Sequence, residues 1–569
     1  MRLERNKAID RFHRLPISMI IICVICAICG PSLYAQESQL GRVEFPTSGS
    51  EKAQAHFLRG LAALHSFWYE EALAAFREST EVEPDFAMGY WGEAMAHNHP
   101  LWSEQDPAAA REVLAKIKES PQLTDRERAY LAAVRLLYGE GDKRSRDAAY
   151  SAAMEKIYRA FPKDLDAASF YALSLLGLSG EKGYRLQARA GAISLEVYQQ
   201  NPNHPGAAHY IIHAFDDPDH AILALPAARR YAEIAPEAHH ARHMPSHIFL
   251  QLGMWPEAAA SNEAAWASSD AWMKRKNLSV SVRDYHSLHW LLYCYLQQGR
   301  YNQAEQLLNL MKKVMSESTY DNKLRPQYYE NNYANMAAAF IVETERWNLT
   351  SQLFPEGKPA PAATEQATMG GSHGGHSPAA ASSGTAGATV RTSMASVTLP
   401  IFIRGLAAAA EGSANITEVN EDANRSSMRR IGELEIAALN ASTKKEHAKA
   451  IELMKKATAL EEQAGAPYGP PNLIKPSHEL FGEILLRAGK PAEAAEQFKT
   501  ALLRQPNRAR SLLGAARAAA QTGNQAGALT AYATLVEQWK QADDGLLELR
   551  EARDFLSKQG NRPHGAGAR

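Results

Sequence analysis

The sequence predicts an all-α fold: a superhelical solenoid of helix–turn–helix units, broken by one disordered insertion. Three observations carry this. Apolar residues recur at helical spacing through 51–355 and 397–560, and strand-like alternation is rare. Two distant segments repeat one spacing of small, aromatic and proline residues. Between the helical regions, 356–396 is rich in Gly, Ala, Ser and Pro. That stretch has too little apolar content to offset the roughly 1–2 kcal/mol of backbone entropy lost per ordered residue.

The repeated spacing is specific. HFLRGLAALHSFWYEEALAAFRESTEVEP (56–84) carries Gly60, Ala72, Phe76 and Pro84, and KPSHELFGEILLRAGKPAEAAEQFKTALLRQP (475–506) carries Gly482, Ala494, Phe498 and Pro506. Both run at intervals of 12, 4 and 8 residues. Small residues let the two helices of a pair approach, the aromatic fills the gap, and the proline ends the second helix. This resembles the tetratricopeptide repeat, a 34-residue helix–turn–helix unit. Weaker copies follow Pro162, Pro202 and Pro236, and another includes YCYLQQGRYNQAEQLL (293–308). Stacked repeats bury their apolar faces against one another and present an extended concave groove, suited to a protein or peptide partner.

The remaining segments follow in order. Residues 1–35 read as an export signal, with Arg2, Arg5, Lys7, Arg11 and Arg14 ahead of an apolar run from Ile17 to Ile28 and a cleavage point at Ala35. Leu33 is a poor small residue for cleavage, so a retained anchor is the alternative. The run is short for a membrane span. An exported location, periplasmic or secreted, is therefore expected, with no membrane association after cleavage. A linker at 36–50, the array at 51–355, the insertion at 356–396, a second array at 397–560 and a frayed tail at 561–569 complete the chain.

Bulk composition narrows the function classes. The chain of 569 residues has a formal net charge of −1, and loss of residues 1–35 would leave about −4. No basic stripe interleaves with aromatics, so nucleic acid is not an expected partner. Three of four cysteines fall within the signal, which leaves Cys294 and no internal disulfide. Cys294 lies in the apolar LLYCYL and reads as a small core residue.

The histidines fall on the repeat. Pro202 and Pro236 are 34 residues apart, and the same step carries His209 to His243 and His213 to His247. Anchored on Ala258 and Ala304, His289 takes the place of His243, His286 that of His240, and Tyr293 that of His247. Glu479 and Glu483 take those two places before Ala494, where a solvated helix face is the ordinary expectation. In the helix at 204–215, Ala208, Ile211, Ile212 and Phe215 form the packed arc. His209 and His213 lie roughly 100–140° round from it, facing the groove.

Imidazoles at equivalent places in stacked repeats are candidates to converge on one ion. His209, His213, His243 and His247, with His286 or His289, form the candidate set, and Zn or Cu is the candidate metal. Asp216 and Asp217 are candidates to orient a ring. His65 and His99, also 34 apart, suggest a second line, and MGGSHGGH (369–376) offers further donors. The competing readings are a polar groove lining and plain low-complexity sequence. Proton competition predicts that metal binding weakens as pH falls toward about 6.

HPGAAHYIIHAFDDPDHA (204–221), ARHMPSHIFLQLGMWPEAAASNEAAW (241–266), RDYHSLHWLLYCYLQQGRY (283–301) and YGPPNLIKPSHELFGEILL (468–486) resemble blocks of a family of exported bacterial tetratricopeptide-repeat proteins. The resemblance implies fold and export, and no established activity. HExxH, GxSxG, GxxxxGK[ST] and strand-linked GxGxxG signatures are missing. Three functions stay open: a partner-binding scaffold, a periplasmic metal-handling protein, and a metal-dependent hydrolase in which Asp216, Asp217 or Glu479 would act as base.

Overall fold

In the computed structural model, the described residues are 39–118, 120–179, 184–317, 319–320, 328–355, 399–414, 426–471 and 473–560. The segment read as an export signal, the whole of the insertion at 356–396 and the tail lie outside them. Residues from Leu40 onward form one compact unit. Among the described residues it is built of α-helices and short 3-10 turns, with one two-residue antiparallel pairing of Asn98–His99 with Glu104–Gln105. None of these helices is long and apolar enough to cross a membrane.

The repeated residues do what their sizes dictate. Phe76, on the helix Tyr69–Val82, fills the space left by Gly60 on the preceding helix and Gly92 on the following one. A Cβ at either glycine would come within 2.8 Å and 2.2 Å of the Phe76 ring. Phe498 stands in the same relation to Gly482 and Gly514, with 2.6 Å and 2.2 Å. Each aromatic therefore joins its own helix pair to the next, which is how a local spacing becomes a continuous core. The second helices stop at Val82 and Arg504, two residues before Pro84 and Pro506.

In several pairs the turn falls five residues before the anchor alanine and takes a left-handed conformation. Gly253, Gly299, Gly489 and Gly523 occupy it with φ between +66° and +77°. Phe67 occupies it in the first repeat, at φ +53°. A bulky side chain in this region costs of order 1 kcal/mol or more, so something must hold the ring there.

One sequence expectation changes. The stretch read as a linker is packed from Leu40 onward, and Phe45 stacks among Phe57, Trp91 and Tyr130. The two arrays also touch far from their junction. Trp255 Nε1 donates to Asn507 O at 2.9 Å, Ala509 N to Gln297 Oε1 at 2.9 Å, and Gln251 Nε2 to Pro467 O at 3.0 Å. At Gly253 a Cβ would lie 2.5 Å from Pro506 O, so this turn needs glycine for close approach as well as for φ.

Candidate metal centre

Four helices supply the histidines. Pro205–Ala214 carries His209 and His213, His239–His243 carries His240 and His243, Pro245–Gln251 carries His247, and Tyr285–Gln297 carries His286 and His289. Pro205 and Pro245 sit at first-turn positions, where a missing N–H costs nothing. Pro245 divides what would be one repeat helix into two short ones, with His243 and His247 on either side.

The structure gathers these rings into two triads. His209, His213 and His240 form one; His243, His247 and His286 form the other. Within each triad the three candidate donor nitrogens lie within 4.8 Å of one another. In the first, the Nε2 atoms of His213 and His240 each lie 3.0 Å from His209 Nε2. In the second, His247 Nε2 is 3.1 Å and His286 Nε2 3.0 Å from His243 Nε2. The triads adjoin: ring centroids are 6.1 Å apart for His213 and His247, and 6.2 Å for His240 and His243.

The far sides of three rings fix their tautomers. His209 Nδ1 faces His65 O at 2.7 Å, His243 Nδ1 faces Asn262 Oδ1 at 2.7 Å, and His247 Nδ1 faces Asp216 Oδ2 at 2.7 Å. The Asn262 amide is oriented by its Nδ2 donating to Ala258 O, so its oxygen is the atom that meets His243. All three partners accept only, so each Nδ1 carries the hydrogen. As neutral rings, His243 and His247 then present bare Nε2 lone pairs to each other at 3.1 Å. His209 likewise presents one lone pair toward two neighbouring nitrogens. The His243–His247 contact repels until a cation, either a proton or a metal ion, lies between the two nitrogens, whereas His213 or His240 can donate an Nε2 hydrogen to His209.

Burial works against the proton. His209 and His243 are fully buried, and loss of solvation pushes both pKa values down to about 3. Burial also lowers His213 and His286 well below the usual range, with neighbouring rings adding to it. Aromatic walls explain the desolvation. Phe67 packs on His209, His213 and His240 with centroids at 4.3, 5.8 and 5.7 Å. Trp290 packs on His243, His247 and His286 at 5.0, 4.3 and 5.2 Å. The left-handed Phe67 is thus held against the first triad, in a turn position that glycine fills in four other repeats.

Several sequence expectations need correction. The four histidines on the 34-residue period do not share one point; they split between two triads. His289 belongs to neither, being displaced from His286 by about 4.5 Å along the helix and about 60° round it; burial pushes its pKa down to about 4. His240 replaces it. Its signal was in the sequence: His240 and His286 both stand 18 residues before an anchor alanine. The rings are also enclosed rather than set along an open groove wall; His213 is the half-buried exception.

Asp216 orients His247, whereas Asp217 instead pairs with His220 Nδ1 at 2.7 Å. His65 and His99 do not form a second line. His65 joins Asp166 and His204, donating from Nε2 to Asp166 Oδ1 at 2.9 Å while Nδ1 meets Tyr210 Oη at 2.9 Å. His99 stacks on Tyr69 instead, at 3.9 Å. MGGSHGGH lies outside the described residues.

Glu479 and Glu483 are not solvated. Glu479 is fully buried and accepts from Arg508, Ser511 and Lys475; Glu483 pairs with Lys475 and Arg510. The nearby cations hold both carboxyls below the usual carboxylate range against the penalty of burial. This removes Glu479 as a base for the histidines, since its lone pairs are committed. Cys294 is fully buried, and burial pushes its thiol up, as suits a core residue.

Models of the tetratricopeptide repeat match residues 53–86 and 480–543. No curated protein matches the chain. Among solved structures, the chain is similar to the APC/C hetero-tetramer Cut9–Hcn1, at 9% identity, covering 89% of this chain and 76% of that one, with TM-score 0.34. It is also similar to the yeast Tom70 structure, at 11% identity, covering 90% of each chain, with TM-score 0.26. At those scores neither neighbour bears on what this chain does. The two matched segments coincide with the helix pairs built around Phe76 and Phe498: the chain carries tetratricopeptide repeats in both of its helical regions.

Proposed function

We propose that this protein is an exported repeat scaffold whose N-terminal array holds a two-ion transition-metal centre, with three imidazoles for each ion. One observation carries the reading: six Nε2 atoms converge in two adjoining buried triads, with the Nδ1 of three rings anchored on oxygen acceptors. Two nitrogens 3.0 Å apart both reach a shared ion at 2.0–2.1 Å with an N–metal–N angle of roughly 95°. An outer oxygen on the far nitrogen of a ligating ring is the usual support of such sites. All-imidazole donors suit Zn, Cu, Ni or Fe and disfavour Mg or Ca.

The scaffold reading rests on the fold itself, since helical repeats present surfaces that fit protein partners. Export rests on the order of charge, apolar run and small residue in 1–35, and mature protein is expected to begin near Gln36. N-terminal sequencing of exported protein that retained 1–35 would contradict it.

Single variants test the two-ion reading. His213→Ala should lower bound metal from two ions to one per chain, and His247→Ala should do the same. The double variant should bind none while keeping its helical circular dichroism. A double variant that unfolds, made from wild-type protein that never held metal, would assign these rings a structural role.

A further inference from the structure

The donor set narrows the metal and points to a co-substrate. We infer that the centre holds a pair of Cu(I) ions that binds dioxygen between them; this rests on the two-ion reading above.

The argument is one of charge. All six candidate ligands are neutral imidazoles; Asp216 stands behind His247, and Asp284, paired with His239, acts on His243. Two divalent ions would place four positive charges in a buried, aromatic-walled space against those two negative charges. Two monovalent ions place two there, and their mutual repulsion is fourfold smaller at any given separation and dielectric. Among metals that favour imidazole, copper offers a stable monovalent state, and neutral, polarizable donors suit it.

The same account favours dioxygen as ligand. Each Cu(I) gives up one electron, and dioxygen takes both to become a bridging peroxide. Two copper–oxygen bonds form on each side or one on each, the O–O bond stays intact, and no proton moves. The centre goes from two Cu(I) to two Cu(II) plus one dianion, so its net charge stays at +2 throughout. A buried site that cannot take on extra charge suits such a reaction.

Geometry is consistent with sharing. Ring centroids across the triads, at 6.1 and 6.2 Å, are little farther apart than the 4.8 Å between His209 and His213 within one triad. A cavity also adjoins the centre across one aromatic ring. A cleft lined by Leu64, Phe67, Met95, Leu137, Phe170 and Leu173 has Phe67 as one wall, and the Phe67 ring lies against the first triad.

The test uses tag-free full-length protein, stripped with chelator and titrated anaerobically with Cu(I), then exposed to dioxygen. The expected result is two copper ions per chain, uptake of one dioxygen per pair, and a near-ultraviolet peroxide-to-copper absorption. The oxidised pair should be silent by electron paramagnetic resonance, because two bridged Cu(II) spins couple. His213→Gln, at the half-buried position, should bind one copper and lose both the band and the uptake. Two ions bound with no uptake and a full Cu(II) resonance would overturn the dioxygen inference and leave the metal centre standing. No tight binding of Cu(I) or Zn(II) would overturn both.

Discussion

The same two repeat positions are filled in opposite ways at the two ends of the molecule. Fifteen and eleven residues before the anchor alanine, the N-terminal array places His209 with His213 and His243 with His247, while the C-terminal array places Glu479 with Glu483. Both sets are largely buried. The glutamates are answered within the chain. Arg508 meets Glu479 at 2.7 Å and Glu343 at 2.5 Å, Lys475 spans Glu479 and Glu483, and Tyr293 Oη accepts from Arg508 at 2.6 Å. The imidazoles meet mostly one another. A closed ion-pair network joins two arrays; the converging imidazoles are the ligand set proposed for a cation. On the proposed reading, one register position is a fastener in one place and a ligand in another.

The sharpest way to break the comparison is at the fastener. Glu479→Ala leaves Arg508 buried with an incomplete set of partners, and such losses cost about 3–5 kcal/mol. Chemical denaturation should show that drop, with metal content unchanged in the protein that remains folded. Loss of metal from this variant would mean the two regions are one functional unit.

Acid sharpens the other half. His209 and His243, neutral in the folded state with pKa values near 3, take up protons on unfolding, where the value is about 6.5. The unfolded state therefore binds more protons below that pH, and stability of the metal-free protein falls as pH drops from about 6.5 toward 3. The slope is about 1.4 kcal/mol per pH unit for each such ring. Bound metal opposes this by mass action. Because burial lowers these rings, metal release should have its midpoint below pH 6, lower than free imidazole would give. Thermal melts of metal-free and metal-loaded protein across pH 7 to 5 check both signs.

A smaller effect is expected one shell out. Asp216→Asn keeps the shape but weakens the hydrogen bond that orients His247, and should reduce metal affinity about 10–100-fold with two ions still bound at saturation. Unchanged affinity would detach Asp216 from the centre.

Much of this was legible in the sequence, for reasons that differ by residue. Gly60, Ala72, Phe76 and Pro84 act through neighbours in the same or the next helix pair, so their spacing reported the fold directly. The 34-residue step reported which histidines face the same way. It did not report how neighbouring repeats are rotated, and that rotation splits the period-matched set into His209 with His213 and His243 with His247. His240 lies off the 34-residue step that joins His209 to His243 and His213 to His247, so that step alone does not reach it. The buried state of Glu479 and Glu483 was out of reach, since it depends on Arg508 and Arg510 one repeat later and on Glu343 and Tyr293 in the other array. Phe67 carried a signal of its own: an aromatic where later repeats place glycine.

The central claim, that the two triads are ligand sets, is tested most directly by the metal content of the wild-type chain. Tag-free, full-length protein loaded with Cu(I) or Zn(II) and passed through gel filtration should retain two ions per chain by native mass spectrometry. Retention of none, with the fold intact, would contradict it.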